Sequence, residues 1–417
     1  MAAAAQALLG VSLAGGLGPR GWHPLAQAAE LTAPTGKAKS VIFLTMTGAM
    51  SHLETLDPKP GTSSQGETQA IQTRLPGVAL GSLMPKLSYL MNGLALIRSL
   101  STETGDHAQG KYIMRTSYKP LNSIRHPGMG AWVNHVQDKT NKHLPGNVLI
   151  GPSAGHPGPG FLSAALAPVP ISNPSVGLQN TQSPPYLAEE QFKRRMSLAN
   201  QFDSVFKAKH ESQLIEAYDQ TYREAVRLMG SAELKVFDLS AEKEQVRKAY
   251  GETPFGQSCL LARRLVEKGV RFVEVEYGNW DHHADIYKSC PKMVTELDDG
   301  LGALIRDLAS KGLLGEVLVV LNTEFGRSPA INENAGRDHH PGVFSGLMCG
   351  AGVKAGVVFG KSDELGGSVE EDGVSHQDVN ATIAAAMGLP LDQEFLAPNG
   401  RPFRICDDGQ PIKALLA

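Results

Sequence analysis

Cysteine is scarce in this chain of 417 residues: there are 4, Cys259, Cys290, Cys349 and Cys406, and no two form a Cys-x-x-Cys pair. That spacing excludes a zinc ribbon or a dithiol redox centre and leaves buried or free thiols. An excess of one charge is also missing. With 39 basic against 42 acidic side chains, the formal charge is -3, so there is no electrostatic footprint for nucleic acid or an anionic membrane surface. No internal repeat exists, and the 45 Gly and 26 Pro are scattered among periodic segments. They mark loops, which excludes a collagen-like chain or a long flexible linker. The apolar stretch at the N-terminus is too short and Gly-rich to span a membrane. What remains is a chain able to build one large α/β domain or two ordinary ones, with a small molecule as its expected partner.

Residues Met1 to Leu17 are almost wholly small or apolar, the first cation is Arg20, and Ala26, Gln27 and Ala28 form an A-x-A site before Ala29. This pattern predicts an export leader over 1–29, with an Ala-rich tail as the alternative, and so a periplasmic or extracellular protein. Residues 30–417 are expected to form a single domain.

Ser40 to Met46 (SVIFLTM) is a continuous apolar, β-branched run that stops at Thr47 and Gly48. A run without alternation reads as a central strand covered on both faces. A short helix and a strand at Leu94 to Arg98 are expected next. Leu144 to Thr181, rich in Pro, Gly and Ser, reads as an irregular surface excursion. From Pro185 to Tyr250 the composition shifts to strong helix formers, which predicts a helical insert over about 185–250. Beyond it helices and strands alternate: a helix from Thr253 to Gly269, a strand from Val270 to Glu276, a helix from Lys292 to Gly312 and a strand from Glu316 to Leu321. Edge strands are expected at Phe344 to Cys349 and Gly356 to Phe359, and a last helix at Asp378 to Met387. Such alternation implies right-handed crossovers and a mainly parallel sheet, with ligands beyond the carboxyl ends of its strands.

Three of these strands run into polar clusters. The first delivers Thr47, Ser51, His52, Glu54 and Asp57. The second delivers Asp281, His282 and His283, and the third Glu324 and Arg327. The loop Gly336 to His340, carrying Asp338 and His339, and the segment Gly105 to His107 add further candidates. Asp281 and His283 stand two apart, so in extended backbone their side chains share a direction and can converge on one ion, while His282 points elsewhere. Glu324 and Arg327 read either as a helix-start salt bridge or as site residues, Arg being suited to a planar oxyanion. Thr47 and Ser51 are the positions for a nucleophile, against a role as turn residues bonded to backbone. Asp57, in Asp57-Pro58-Lys59-Pro60, reads as a rigid turn. His23, His143, His156 and His210 have no acidic cluster beside them and are expected to be bland.

The segments SHLETLDPKPG, HPGMGAWV, CLLARRLVEKGVRFVEVEYGNWDHH, LNTEFGRSPAIN, GRDHHPGVFS and DVNATIAAAMGL together resemble the secreted domain-of-unknown-function family fifteen-oh-one, from about Ser40 to the C-terminus. The resemblance implies the alkaline phosphatase and sulfatase superfamily: an α/β/α sandwich around a metal-centred hydrolase site. It maps one ion onto Asp281, His283 and His339. A second ion falls near Glu324, where Phe325 stands in place of the expected histidine, with Glu54 or Asp57 replacing an acid after the first strand. No Cys-x-Pro-x-Arg segment is present, which removes formylglycine chemistry. The expectation is a hydrolase of phosphate or sulfate esters using zinc, calcium or manganese. Its ligand candidates are Asp281, His283, His339, Glu324, Asp57, His107 and Asp338, with Ser51 or Thr47 as nucleophile and Arg327 on a small-molecule or glycan substrate. The rivals are a non-catalytic exported binding protein on a degenerate site, and a phosphotransferase or mutase.

Overall fold

The computed structural model describes residues 38–417 apart from 180, 182–185, 187 and 210–212, so the expected leader at 1–29, His23 and His210 lie outside the described residues. Eight strands form the main sheet: β1 (Ser40–Met46), β2 (Ala95–Leu100), β3 (Asn147–Ile150), β4 (Val169–Ile171), β5 (Phe272–Tyr277), β6 (Val317–Thr323), β7 (Phe344–Gly350) and β8 (Val357–Phe359). Their order is β8-β2-β7-β6-β1-β5-β3-β4. Only β7 runs against the rest, pairing antiparallel with both β2 and β6. The other neighbouring pairs are parallel.

The helices are α1 (Pro85–Leu90), α2 (His107–Thr116), α3 (Met129–Val136), α4 (Glu189–Lys209), α5 (Gln213–Met229), α6 (Glu244–Ala249), α7 (Pro254–Glu267), α8 (Ile286–Ser310) and α9 (His376–Met387). Strand β1 explains the three-layer build. All seven of its residues are buried. Ile42, Leu44 and Met46 point into a core shared with α7 and α8. Val41 and Phe43 point into a second core with Trp132 of α3 and Val379 and Ile383 of α9. A strand with apolar side chains on both sides is thereby buried on both faces, at roughly 1.5–3 kcal/mol for each large side chain. Helix starts follow their caps: Thr253 accepts from Gly256 ahead of Pro254 in α7, and Ser375 and Asp378 form a reciprocal capping box for α9.

The chain is therefore an α/β/α sandwich with a mainly parallel sheet, and α4 and α5 fall within the expected helical insert. Two expectations need correction. The stretch Leu144 to Thr181 is not only surface loop, because it supplies β3 and β4. Both are very short, and Pro170 in β4 is tolerated because β4 is an edge strand with one unpaired side. Conversely, Phe344 to Cys349 is no edge strand: β7 lies between β2 and β6 with every residue buried.

That reversal matters for the rim where β6, β1 and β5 end. In register, Met46 lies beside Tyr277 and Thr323. The segment after β2 leads to α2 from the same rim. Because β7 is antiparallel, the residues before it also lie there.

Candidate metal centre

Helix α2 brings the first ligand. Asp106 caps it, its carboxylate accepting from Gln109 N at 2.9 Å, which sets His107 as the first helical residue. Gly110 allows α2 to sit close on β6, since a Cβ there would lie 3.1 Å from the Glu324 Cβ. At its other end Arg115 donates to Glu274 at 2.7 Å and Glu276 at 2.6 Å, both on β5. The helix is thus fixed at both ends.

The turn after β5 brings Asp281 and His283. It packs against the turn after β1 at Gly48, whose φ is 101° and where a Cβ would lie 2.6 Å from Trp280 N. No other residue fits that approach without strain. His282 turns away as expected: it is buried against Trp280, and burial lowers its pKa. His339 comes from a two-residue ribbon in which it pairs with Arg327. The alternation of that ribbon sends His340 the other way, to Gly367 O at 2.5 Å.

The side chains converge. His283 Nε2 and His339 Nε2 are 2.9 Å apart and lie 3.1 and 3.2 Å from Asp281 Oδ1. His107 Nε2 lies 3.3 Å from Asp281 Oδ2, yet makes no hydrogen bond. Ligand atoms of His107, Asp281 and His339 all fall within 4.8 Å of one another. Behind each imidazole stands an acceptor for its other nitrogen. His339 Nδ1 faces Gly105 O at 2.7 Å, His283 Nδ1 faces Asp338 Oδ1 at 3.2 Å, and His107 Nδ1 faces Glu324 Oε1. A carbonyl or carboxylate can only accept, so each Nδ1 carries a proton; each Nε2, beside the Asp281 carboxylate, either keeps its lone pair for a cation or holds a second proton and donates to that carboxylate. With Nε2 unprotonated, the lone pairs and the carboxylate repel one another unless a cation sits among them, and the group His107, Asp281 and His339, with His283 beside Asp281 and His339, fits a divalent ion.

Electrostatics agree. Burial alone would raise the Asp281 pKa, but the Arg327 hydrogen bond and charge, with His339 and His107, bring it down to about 2. The pKa of His107 is raised, chiefly by its bond to Glu324. The carboxylate is therefore charged across the ordinary pH range, and proton and metal compete for His107.

The remaining candidates occupy other places. Glu324 is buried behind His107, and its Oε1 also accepts from Gly48 N at 3.0 Å. Its Oε1 fixes the His107 ring, while its Oε2 has no partner. Phe325 packs against the rings of His107 and His339, with centroids at 5.0 and 4.8 Å, forming a wall where a second-ion histidine was expected. Asp338 accepts from Asn332 Nδ2 at 2.9 Å as well as facing His283, so it also acts from behind. Asp57 is not at the centre. It is buried against Arg98 and Lys59, at 3.2 and 3.1 Å, and the hydroxyl of Ser362. Glu54 is held by Arg337 at 2.7 Å.

Neither expected nucleophile is presented to solvent. The Ser51 hydroxyl is enclosed without a partner, and Thr47 donates to Glu276 Oε1 at 3.2 Å. Arg327, expected on a substrate oxyanion, is fully buried. Its Nε donates to Ala49 O at 2.9 Å, Nη1 to Arg337 O at 3.0 Å, and Nη2 to Asp281 Oδ1 at 2.5 Å and to Gly48 O. His156, expected to be bland, donates to the buried Glu274 at 3.0 Å, a partner 118 residues away in sequence.

A family model described as "Protein of unknown function (DUF1501)" matches residues 38–416. By sequence, no curated protein matches. Among solved structures, the chain is similar to the PsFucS1 sulfatase from Pseudoalteromonas sp., at 15% identity and TM-score 0.41, over 93% of this chain and 73% of that one. A protein in the alkaline phosphatase superfamily from Vibrio parahaemolyticus is similar at 10% identity and TM-score 0.39, over 93% and 73%. Alkaline phosphatase from the Antarctic bacterium TAB5 follows at 12% identity and TM-score 0.35, over 86% and 99%.

Proposed function

We propose that this chain, which belongs to the DUF1501 family of proteins of unknown function, is a metal-dependent hydrolase of phosphate or sulfate esters working with one divalent ion. His107, Asp281, His283 and His339 are the ligands. The observation that carries the reading is the set of three imidazoles, each held from behind at Nδ1 and each turning its Nε2 toward the Asp281 carboxylate. Such an imidazole-rich set suits zinc better than manganese or calcium, which favour oxygen ligands. The chemistry an ion supplies there is Lewis-acid stabilisation of negative charge on oxygen.

The chain's own part is to hold the tautomers, to keep Asp281 charged and to shape the rim. With Ser51 and Thr47 enclosed, the nucleophile is water. Its oxygen bonds to phosphorus or sulfur, the bond to the ester oxygen breaks with its electron pair, and the water proton ends on the leaving alcohol. The substrate is a small-molecule or glycan ester, met outside the cytoplasm if the apolar N-terminal stretch is a leader. No helix among the described residues is long and apolar enough to cross a membrane.

One observation favours the rival reading, a metal-holding binding protein without turnover: the donors of Arg327 are engaged by backbone and Asp281, so it offers no clamp for an oxyanion. Metal analysis of the purified chain with a panel of chromogenic phosphate and sulfate esters separates the two. One equivalent of metal and turnover lost in Asp281→Ala supports the hydrolase. Bound metal without turnover on any ester supports the binder, and protein that takes up no metal refutes both.

A further inference from the structure

Arg327 makes contacts that neither a surface salt bridge nor a substrate clamp would need. Its guanidinium is fully buried at the point where three chain segments meet. It donates to Gly48 O and Ala49 O of the turn after β1, and to Arg337 O in the segment leading to His339. Trp280 O, after β5, lies 3.5 Å from Nη2. The same Nη2 donates to Asp281 Oδ1, and Nη1 stands 3.5 Å from His283 Nε2. One planar fork therefore touches a ligand carboxylate while holding the backbones that carry Asp281 and His339. A lysine has one point charge and cannot satisfy several carbonyls in a plane.

We infer that Arg327 is a positioning residue that assembles the ion site before the ion arrives, fixing the rotation of Asp281 and the spacing between the turn after β5 and the His339 ribbon. The inference rests on the reading of His107, Asp281, His283 and His339 as ligands. It assigns Arg327 to metal affinity and away from substrate. Without the fork, four groups that repel one another have nothing to keep them close in the metal-free protein. The ion must then gather them itself, and its affinity falls by the cost of that ordering.

The test uses the full chain stripped of metal and titrated with Co²⁺, whose visible absorption reports coordination number without any substrate. Arg327→Met removes the donors, and Arg327→Lys keeps a charge near Asp281 but loses the fork. In either variant that folds, Co²⁺ affinity is expected to fall about 10- to 100-fold, the usual scale for outer-shell partners of a metal site. The spectrum is expected to move away from that of wild type, and Arg327→Lys to recover only part of the loss. Circular dichroism of the metal-free variants checks the fold. A folded variant that binds Co²⁺ as wild type does, with the same spectrum, overturns the inference. So does failure of both variants to fold with or without the ion, since Arg327 would then be a folding residue only. If wild type itself gives no Co²⁺ spectrum, the ligand reading has failed instead, and that result is distinguishable from the other two.

Discussion

Replacing Asp338 by alanine isolates what orients a single ligand. The carboxylate faces His283 Nδ1 at 3.2 Å and accepts from Asn332 Nδ2 at 2.9 Å, and its side chain is 61% exposed. Exposure makes it a clean perturbation, because surface pairs of this kind contribute only ~0–1 kcal/mol to folding. The effect on the ion should be larger than that. Without an acceptor at Nδ1, His283 can place its proton on either nitrogen and rotate, so part of the population turns an N–H toward the ion. Outer-shell acceptors of this type contribute about 10- to 100-fold in affinity. For an exposed acceptor at 3.2 Å the low end applies, about tenfold or ~1.4 kcal/mol. The assay is competition of Zn²⁺ with a chromophoric chelator in a double-mutant cycle of wild type, Asp338→Ala, His283→Ala and the pair. Asp338 should matter only while His283 is present, so the coupling energy should equal nearly the whole single-mutant effect. An equal weakening by Asp338→Ala in the His283→Ala background would show that Asp338 acts on the ion as a general negative charge and refute the reasoning.

Other expectations follow from the same geometry. Glu324→Gln keeps the volume behind His107 but removes the charge, and should weaken Zn²⁺ in the same competition assay while leaving one equivalent bound at saturation. Ser51→Ala should leave ester turnover unchanged, and a trapped covalent adduct or lost turnover would restore Ser51 as nucleophile. Gly48→Ala forces a Cβ to 2.6 Å from Trp280 N at a φ of 101°, and should cost about 1–3 kcal/mol in urea unfolding. Burial holds both His52 and His376 neutral, with pKa lowered to about 4 from 6.5. The unfolded chain then binds protons that the folded chain does not. The stability this represents, roughly 3 kcal/mol for each, is fully present above pH ~6.5 and is lost as pH falls toward ~4. Asp298, raised to about 6 by burial, and the raised His107 work in the opposite direction, while His126, also lowered to about 4, adds to the effect of His52 and His376. Urea midpoints should therefore drop over that window, and His376→Gln should flatten the slope.

Much of the fold was legible because its signals are local. Ser40 to Met46 is a strand with the bounds its apolar run suggests, and α7 starts at the Thr253 cap. The short strands β3 and β4 were illegible because four and three residues among Pro and Gly carry no periodicity. The site divided the same way. Asp281 and His283 were visible as a pair at strand-end spacing. His107 was visible only as a histidine in a polar segment, since its ligand role depends on Glu324, 217 residues distant in sequence.

The sequence by itself determined that Ser40 to Met46 is buried on both faces and where the polar tails of β1, β5 and β6 begin, since burial and termination there are written in neighbouring residues. Only the tertiary structure decided which tails meet. Direction is a property of pairing between distant strands, and the reversal of β7 turns the segment before it onto the rim where the parallel strands end, bringing His339 to Asp281. The same folding enclosed Arg327, Asp57 and Ser51, whose residue types alone had suggested chemistry: partners far along the chain claimed the donors of Arg327 and the carboxylate of Asp57, and the Ser51 hydroxyl was buried without a partner.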